Sequence, residues 1–347
     1  VTVSRVLVTG GTGVIASWVV RGFVERGITP IVMSRGPSDH VGSAINGDIA
    51  ERCVKVSGDV LDGALVDRVI AEHGAQAVVH MASAKPWQIE PPWVDEPQPS
   101  RAIEQIATAT ANVLEAARRR GVRRVVYASS KAVFDDVTGP YAAPTYQPLP
   151  EDYPSRPRML YGIGKLAAEH LGFYYARQFG LEFMTIRFTS AFGPLKRGPT
   201  ATSPDGMLYA ALAGEPVRIR RFQDGERDDY IYNKDVAEAF VLAALAARPR
   251  HLAYNIGSGR GSNHDDFARA LRVAVPAVKL DFADPDVGGA GARITDRARC
   301  IMDNRRAHED FGYVPRYASL EDAFADFIVE HRRIERSRLA PGPIAGT

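Results

Sequence analysis

The chain has 347 residues, 45% of them hydrophobic, a formal net charge of +2 and two cysteines. Such a length buries a large core and holds one large or two smaller domains. The small net charge speaks against a nucleic-acid or membrane partner, and Cys53 and Cys300, far apart and without metal-ligand spacing, point to a reduced, cytoplasmic setting. No apolar h-region opens the sequence and no run of about 18 apolar residues occurs, so neither a signal peptide nor a membrane span is expected.

The first predicted strand, Val3 to Val8, runs into a glycine turn (Gly10, Gly11, Gly13) and then a helix over Val14–Glu25. Glycines let the backbone turn sharply and approach a pyrophosphate, and the helix N-terminus directs N–H groups and its positive dipole end at that anion. Further strands are predicted at Ile31–Met33, Val54–Val56, Ala77–Met81, Arg124–Ala128 and Phe183–Arg187. Helices are predicted at Ala64–Glu72, about 100–120 and about 159–179. This alternation predicts an α/β fold, a Rossmann-type doubly wound parallel sheet that binds ligands at its strand carboxyl ends.

Pro86 to Pro99, with five prolines and two tryptophans, reads as a surface excursion, and Pro140 to Pro157 as a second loop. Arg118–Arg120 and Arg123-Arg124 read as a cationic helix end complementing the dipole. After Arg187 the pattern becomes irregular. Pro204–Leu212 and Lys234–Ala247 read as helices; Val217–Ile219, Asp229–Tyr232 and Ala253–Ile256 read as short strands; Gly225 to Asp229 reads as a charged turn. The expected division is a dinucleotide-binding domain over 1–188, with 229–257 partly returning to it, and a smaller C-terminal substrate-binding lobe over 189–228 and 258–335. A flexible tail over 336–347 follows.

Tyr161 and Lys165 lie four apart on a predicted helix, which stacks their side chains about 6 Å apart at Cβ. A nearby ammonium favours a phenolate and is expected to lower the tyrosine pKa toward working pH. Such a tyrosine can take a proton from an alcohol as hydride leaves, or donate one to a carbonyl as hydride arrives. Ser129 and Ser130 stand at the end of the fifth strand, where a hydroxyl could hold the substrate oxygen. Trp87, Trp93, Phe134 and Tyr141 either wall an apolar substrate pocket or pack the Pro-rich loop onto the sheet; His80 is assigned no role.

The motifs TGGTGVIA (9–16), GDV (58–60), HMASAK (80–85), NVLEAA (112–117), VVYASSKAVF (125–134), YGIGK (161–165), RFTSAFGP (187–194) and YNIGSG (254–259) together resemble the extended short-chain dehydrogenases/reductases. That group is also called the NAD-dependent epimerase/dehydratase family, and the resemblance spans about residues 3 to 330. It implies that Gly10, Gly13 and Ala16 line the pyrophosphate, with Val14 and Ile15 in the same turn. It places Asp59 and Val60 at the adenine, and Met81, Ala82 and Ser83 beside the riboses. Lys85 is implied to reach cofactor or substrate. Ser130 aligns with the catalytic hydroxyl, Tyr161 with the acid/base, and Lys165 with the group that holds the nicotinamide ribose and tunes the tyrosine.

The departures are informative. The second strand ends in Met33-Ser34-Arg35, without the acidic residue that many relatives place there, so NADP is expected over NAD, with Asp39 swinging in as the alternative. Counting back from Asn112 puts Ile106 where a supporting asparagine is expected; that support is missing or comes from Gln105. Ser190 and Asp228 stand where nucleotide-sugar enzymes carry an asparagine and an arginine, with Arg227 one position off and facing the opposite way. Arg293 fits a second phosphate-binding arginine. Lys131-Ala132 replaces the acidic pair that dehydration of a nucleotide sugar needs.

The reading is an NAD(P)-dependent oxidoreductase acting at a secondary alcohol or ketone carbon of a sugar-like or other hydroxylated small molecule, inclined to a dehydrogenase or reductase. An epimerase that retains its cofactor is the first alternative and a non-catalytic dinucleotide-sensing regulator the second. A homodimer is expected, with helices 100–120 and 158–179 pairing across a two-fold axis.

Overall fold

The computed structural model describes residues 3–36, 40–85, 88–89, 95–195, 203–223, 225–283 and 299–339. The amino-terminal half alternates strands and helices: β1 (Arg5–Thr9), α1 (Val14–Glu25), β2 (Thr29–Ser34), α2 (His40–Asn46), β3 (Val54–Ser57), α3 (Gly63–His73) and β4 (Ala77–His80). Then come α4 (Pro99–Ala102), a π-helical segment (Ile103–Thr108), α5 (Ala109–Arg119), β5 (Arg124–Ala128), α6 (Leu160–Phe179) and β6 (Glu182–Phe188). The strands form one sheet in the order β10-β6-β5-β4-β1-β2-β3, every pairing parallel, where β10 is Ala253–Ile256.

The sequence explains this layering. β4 (AVVH) and β5 (RVVYA) are buried along their whole length, as strands covered on both faces must be. Along β1 the side chains alternate. Val6 and Val8 join a core with Trp18, Phe23, Phe240 and Tyr254, while Leu7 joins the opposite core with Ile31, Val78, Val113 and Phe183. Asp62 caps α3 by accepting from the Leu65 N–H at 2.9 Å, and Gly74, at φ +62°, ends that helix.

The remainder comprises β7 (Ser190–Phe192), α7 (Pro204–Leu212), β8 (Val217–Arg220), β9 (Asp228–Tyr232), α8 (Asn233–Leu245), β10, β11 (Gly261–Ser262), α9 (His264–Ala274), β12 (Leu280–Ala283), α10 (Arg305–Phe311) and α11 (Leu320–Leu339). β11-β9-β7 and β12-β8 make two small sheets over a third core that includes Phe192, Leu208, Phe267 and Phe324. Arg124 reaches from β5 to the end of α8. It donates to the Ala243, Ala244 and Ala246 carbonyls at 3.0, 3.1 and 2.7 Å and pairs with Glu182. The other arginines of that cluster are ordinary surface partners, Arg118 and Arg119 of Glu115, Arg120 of Asp67 and Arg123 of Glu182.

One sequence expectation changes here, and one open alternative is decided. Gly225 to Asp229 is more than a charged turn: Asp228 and Asp229 open β9 and are buried. Phe134 packs in a small core with Leu149, Cys300 and Met302, with Tyr141 and Tyr153 against it, so these rings fasten the loop to the body. Trp87, Trp93, Asp39, Arg293 and residues 340–347 of the expected tail lie outside the described residues. No described helix is long and apolar enough to cross a membrane, and no described His, Cys, Asp and Glu side chains group as a metal site.

Candidate active site

The strand order reverses at β1, with β2 and β3 on one side and β4 onward on the other. That switch point is where a parallel sheet of this kind opens a crevice. The turn after β1 meets the loop after β4 closely: a Cβ on Gly10 would lie 2.8 Å from the Ala82 backbone, and Gly10 has φ +65°. A Cβ on Gly11 would meet the Val8 carbonyl at 2.9 Å. Only glycine fits at these two positions, so the α1 N-terminus opens on the crevice with Gly13 as its N-cap and no acidic residue in its first turn.

A cleft of about 490 Å³ runs along these carboxyl ends. At one end Met33, Ser34, Arg35, Asp59 and Val60 line it; Gly10, Gly13, Val14, Ile15, Met81, Ala82 and Ser83 line the middle; Lys85, Tyr161 and Lys165 line the other end. Every residue that the sequence assigns to a dinucleotide therefore borders one space. The donor set fits such a group: the N–H groups and positive dipole of a helix end face the middle, and acceptors and hydroxyls flank it. Asp59 accepts from the Leu61 N–H at 3.0 Å and sits 3.9 Å from the exposed Arg35 guanidinium.

Tyr161 and Lys165 share a face of α6, as their spacing predicts. Tyr161 is hydrogen-bonded to Ser130, whose Oγ also accepts from the Ala132 N–H at 3.2 Å. Lys165 donates to the Ala128 carbonyl at 2.6 Å and lies over the Tyr127 and Tyr161 rings at 4.9 and 5.5 Å. The expected lowering of the tyrosine pKa is not found. Burial pushes Tyr161 up to about 12, opposed by the Ser130 bond, so desolvation of the phenolate outweighs that hydrogen bond. Lys165 is itself pushed well below its usual value, by burial first and then by the Lys85 ammonium, with Glu169 opposing.

His80 supports the site from behind. Thr9 Oγ1, which accepts from the Met81 and Ala82 N–H groups, bonds His80 Nδ1 at 2.7 Å. Nε2 bonds Thr110 Oγ1 at 3.2 Å, and Thr110 donates to the Ile106 carbonyl at 2.6 Å. This chain of donors fits a neutral imidazole with its proton on Nε2. Burial holds the His80 pKa down at about 3.

The sequence reading gave no role to several wall residues, Thr12, Gly36, Gly58, Leu61, Ala109, Ala128 and Phe188, while Ser129, which it named at the strand end, and Gln105, which it offered as alternative support, also line the cleft. Gln105 comes from the π-helical segment, where the Ala109 N–H reaches back five residues to the Glu104 carbonyl. Ile106 is buried there, touching the space above Gly164, and Gln105 takes the cleft position. Ser190 is half-buried in β7 and, like Ser130, does not line the cleft. Asp228 is locked in a buried pair with Lys131 at 2.6 and 2.7 Å, while Arg227 turns away to Asp266 at 2.9 Å, as alternation along a strand predicts.

Comparison with known proteins agrees with this geometry. The model of the NAD dependent epimerase/dehydratase family matches residues 6–257. A UDP-glucose 4-epimerase of Azospirillum brasilense is 30% identical over 96% of this chain and 93% of its own. The solved UDP-glucose 4-epimerase of Thermus thermophilus, in complex with NAD, is 26% identical, covers 94% of this chain and 99% of its own, and superposes with a TM-score of 0.71. A Thermotoga maritima UDP-glucose 4-epimerase with UDP-glucose gives a TM-score of 0.77 at 24% identity over 95% of this chain and 99% of that one, a likeness of fold.

Proposed function

The chain belongs to the NAD-dependent epimerase/dehydratase family, and from that premise we propose that it is a sugar 4-epimerase that keeps its dinucleotide through each turnover. The observation that carries this reading is Tyr161, bonded to Ser130 and one turn before Lys165 at the end of the cleft. The sequence reading inclined to a dehydrogenase or reductase because Ser190 and Asp228 are altered; the 4-epimerase relatives weigh the other way.

In this reading the turn from Gly10 to Ala16 holds the pyrophosphate, Asp59 and Val60 the adenine, and Met81 to Ser83 the riboses. Lys85 and Lys165 hold the nicotinamide half. Bound NAD supplies a hydride acceptor and a positive charge. Ser130 Oγ orients the substrate hydroxyl, and Tyr161 Oη takes its proton and returns it to the ketone. Lys165 donates to the ribose and keeps positive charge below the phenol. We read the large sheet as the dinucleotide-binding part and the two small sheets as the substrate lobe, with Ser190 on its β7 strand. Arg293 remains the proposed phosphate contact of that lobe. Exposed Ile103, Ile163, Tyr174 and Phe179 supply an apolar face for a homodimer.

NAD is the proposed cofactor because related structures were solved with it. Arg35 favours a second reading, NADP, since its guanidinium stands in the cleft at the end of β2. Denaturing the purified protein and identifying the released nucleotide by mass tests both. Stoichiometric NAD supports the epimerase; NADP supports the Arg35 reading; protein that carries neither and binds neither overturns the proposal.

A further inference from the structure

We propose that the buried Lys131–Asp228 ion pair positions Ser130, so that the small sheet carrying β9 sets the hydrogen bond between Ser130 and Tyr161. Lys131 and Asp228 are positioning residues: they act through Ser130 and touch neither cofactor nor substrate. Their effect on turnover rests on the roles given to Ser130 and Tyr161 above. Ser130 opens a short turn over Lys131–Val133, and its Oγ accepts from the Ala132 N–H at 3.2 Å while it is hydrogen-bonded to Tyr161. The Ser129 N–H, donated to the Ile186 carbonyl on β6 at 2.9 Å, holds the chain as far as the strand end. Beyond it, among the described residues, the backbone bonds of the turn are local: the Val133 N–H to the Ser130 carbonyl at 3.2 Å and the Phe134 N–H to the Lys131 carbonyl at 2.9 Å.

Three contacts therefore fix the turn in space. Against α6, a Cβ on Gly162, the residue after Tyr161, would lie 2.1 Å from the Ala132 carbonyl oxygen, so turn and helix touch directly. At the far end Val133 and Phe134 are sunk in the small core with Leu149, Cys300 and Met302. At the near end, beside Ser130, Lys131 Nζ donates to both Asp228 oxygens at 2.7 and 2.6 Å, and both residues are buried. Asp228 is held in turn. It opens β9 and accepts from the Asp229 N–H at 3.0 Å, and Asp229 accepts from the Ser258 and Met302 N–H groups at 2.8 and 3.2 Å. Stability alone does not call for such a pair, because apolar side chains of similar volume often hold a core as well or better. What the pair adds is direction: two short charge-assisted bonds fix where the ammonium lies, whereas apolar side chains can slide. A hydroxyl that must meet both a phenol and a substrate oxygen needs that precision, since a displacement of about 1 Å costs up to about 10²-fold in rate.

The test replaces the pair by Lys131→Met with Asp228→Leu and reads the Tyr161 ring by NMR of isotope-labelled tyrosine, the signal being assigned with Tyr161→Phe. The paired replacement is expected to melt close to the parent temperature while its Tyr161 signal moves toward the position it takes in Ser130→Ala. Turnover of UDP-glucose should fall by about 10- to 100-fold, with KM and NADH affinity within about twofold of the parent. Asp228→Asn, which leaves Lys131 an acceptor, should lose stability and yet keep the parent's Tyr161 signal. A stable paired replacement with the parent's Tyr161 signal overturns the inference, as does an Asp228→Asn signal displaced as far as that of the paired replacement, which would make lost stability the cause. Should the paired replacement not fold, Lys131→Met alone is read in the same way: a displaced Tyr161 signal supports the inference and an undisplaced one overturns it. A displaced signal with unchanged turnover leaves the positioning standing and overturns the catalytic reading of Ser130. A parent that does not turn over UDP-glucose overturns the epimerase reading, while the Tyr161 signal still decides the positioning.

Discussion

At the residue scale, the proposed chemistry depends on a phenol whose burial works against ionisation. With its pKa near 12, Tyr161 rests as the neutral phenol, ready to donate, and gives up its proton only when positive charge gathers below it. Tyr161→Phe is expected to cut turnover by about 10²–10⁴-fold while dinucleotide affinity stays near the parent value; affinity lost in parallel would make Tyr161 a binding residue only. His80 makes a second, independent prediction. Its folded-state pKa of about 3 lies below the ordinary 6.5, so the unfolded chain binds a proton that the folded chain refuses. Stability from this group is therefore complete above about pH 6.5 and falls as pH drops toward 3, by about 1.4 kcal/mol per unit. Asp229 and Asp235, both raised to about 6 by burial, work in the opposite direction between pH 4 and 6. The comparison is thus with His80→Gln, which shares them: the parent's stability advantage over it should shrink as denaturation is measured from pH 7 down to pH 4. A constant advantage would contradict the neutral imidazole. Tyr161, Lys165 and Ser130 were legible in the sequence because a four-residue helical spacing and a strand end fix where side chains go.

At the element scale, the loops after β1, β2, β3 and β4 make one wall of the cleft, and the π-helical segment with α6 makes another. β1 to β6 and α1 were legible, the last with the same ends, since fully buried strands read as apolar runs and α1 follows a glycine turn. The π-helical turn left no such sign: one extra residue per turn preserves the apolar pattern while rotating Gln105 into the cleft. The later strands are short and pair with partners far along the chain. So β7, β11 and β12 went unread, as did the polar-faced helices α9 to α11. The same distance hid the Lys131–Asp228 pair, whose members are 97 residues apart. Here the expected outcome is that Asp228→Ala costs about 3–5 kcal/mol by stranding a buried ammonium, and that Lys131→Met with Asp228→Leu recovers most of it. Chemical denaturation checks this, and a single variant as stable as the parent would refute the pairing.

At the scale of the whole molecule, exposed apolar side chains stand on the π-helical segment and α6, where Ile103, Ile163, Tyr174 and Phe179 are 44, 40, 51 and 50% exposed. Sedimentation at micromolar concentration should give the mass of two chains, and Ile163→Lys with Tyr174→Glu should shift it to one; a monomeric parent would contradict the proposed dimer. The central claim is a closed redox cycle, in which hydride leaves and returns within one cleft. Its most direct test gives the purified protein UDP-glucose with no added cofactor and follows the 4-epimer and the absorbance of reduced nicotinamide together. The account predicts conversion to an equilibrium mixture over many turnovers with no lasting rise in reduced cofactor. Conversion that requires added cofactor, with reduced dinucleotide accumulating in step with an oxidised product, would contradict it and make the enzyme a dehydrogenase.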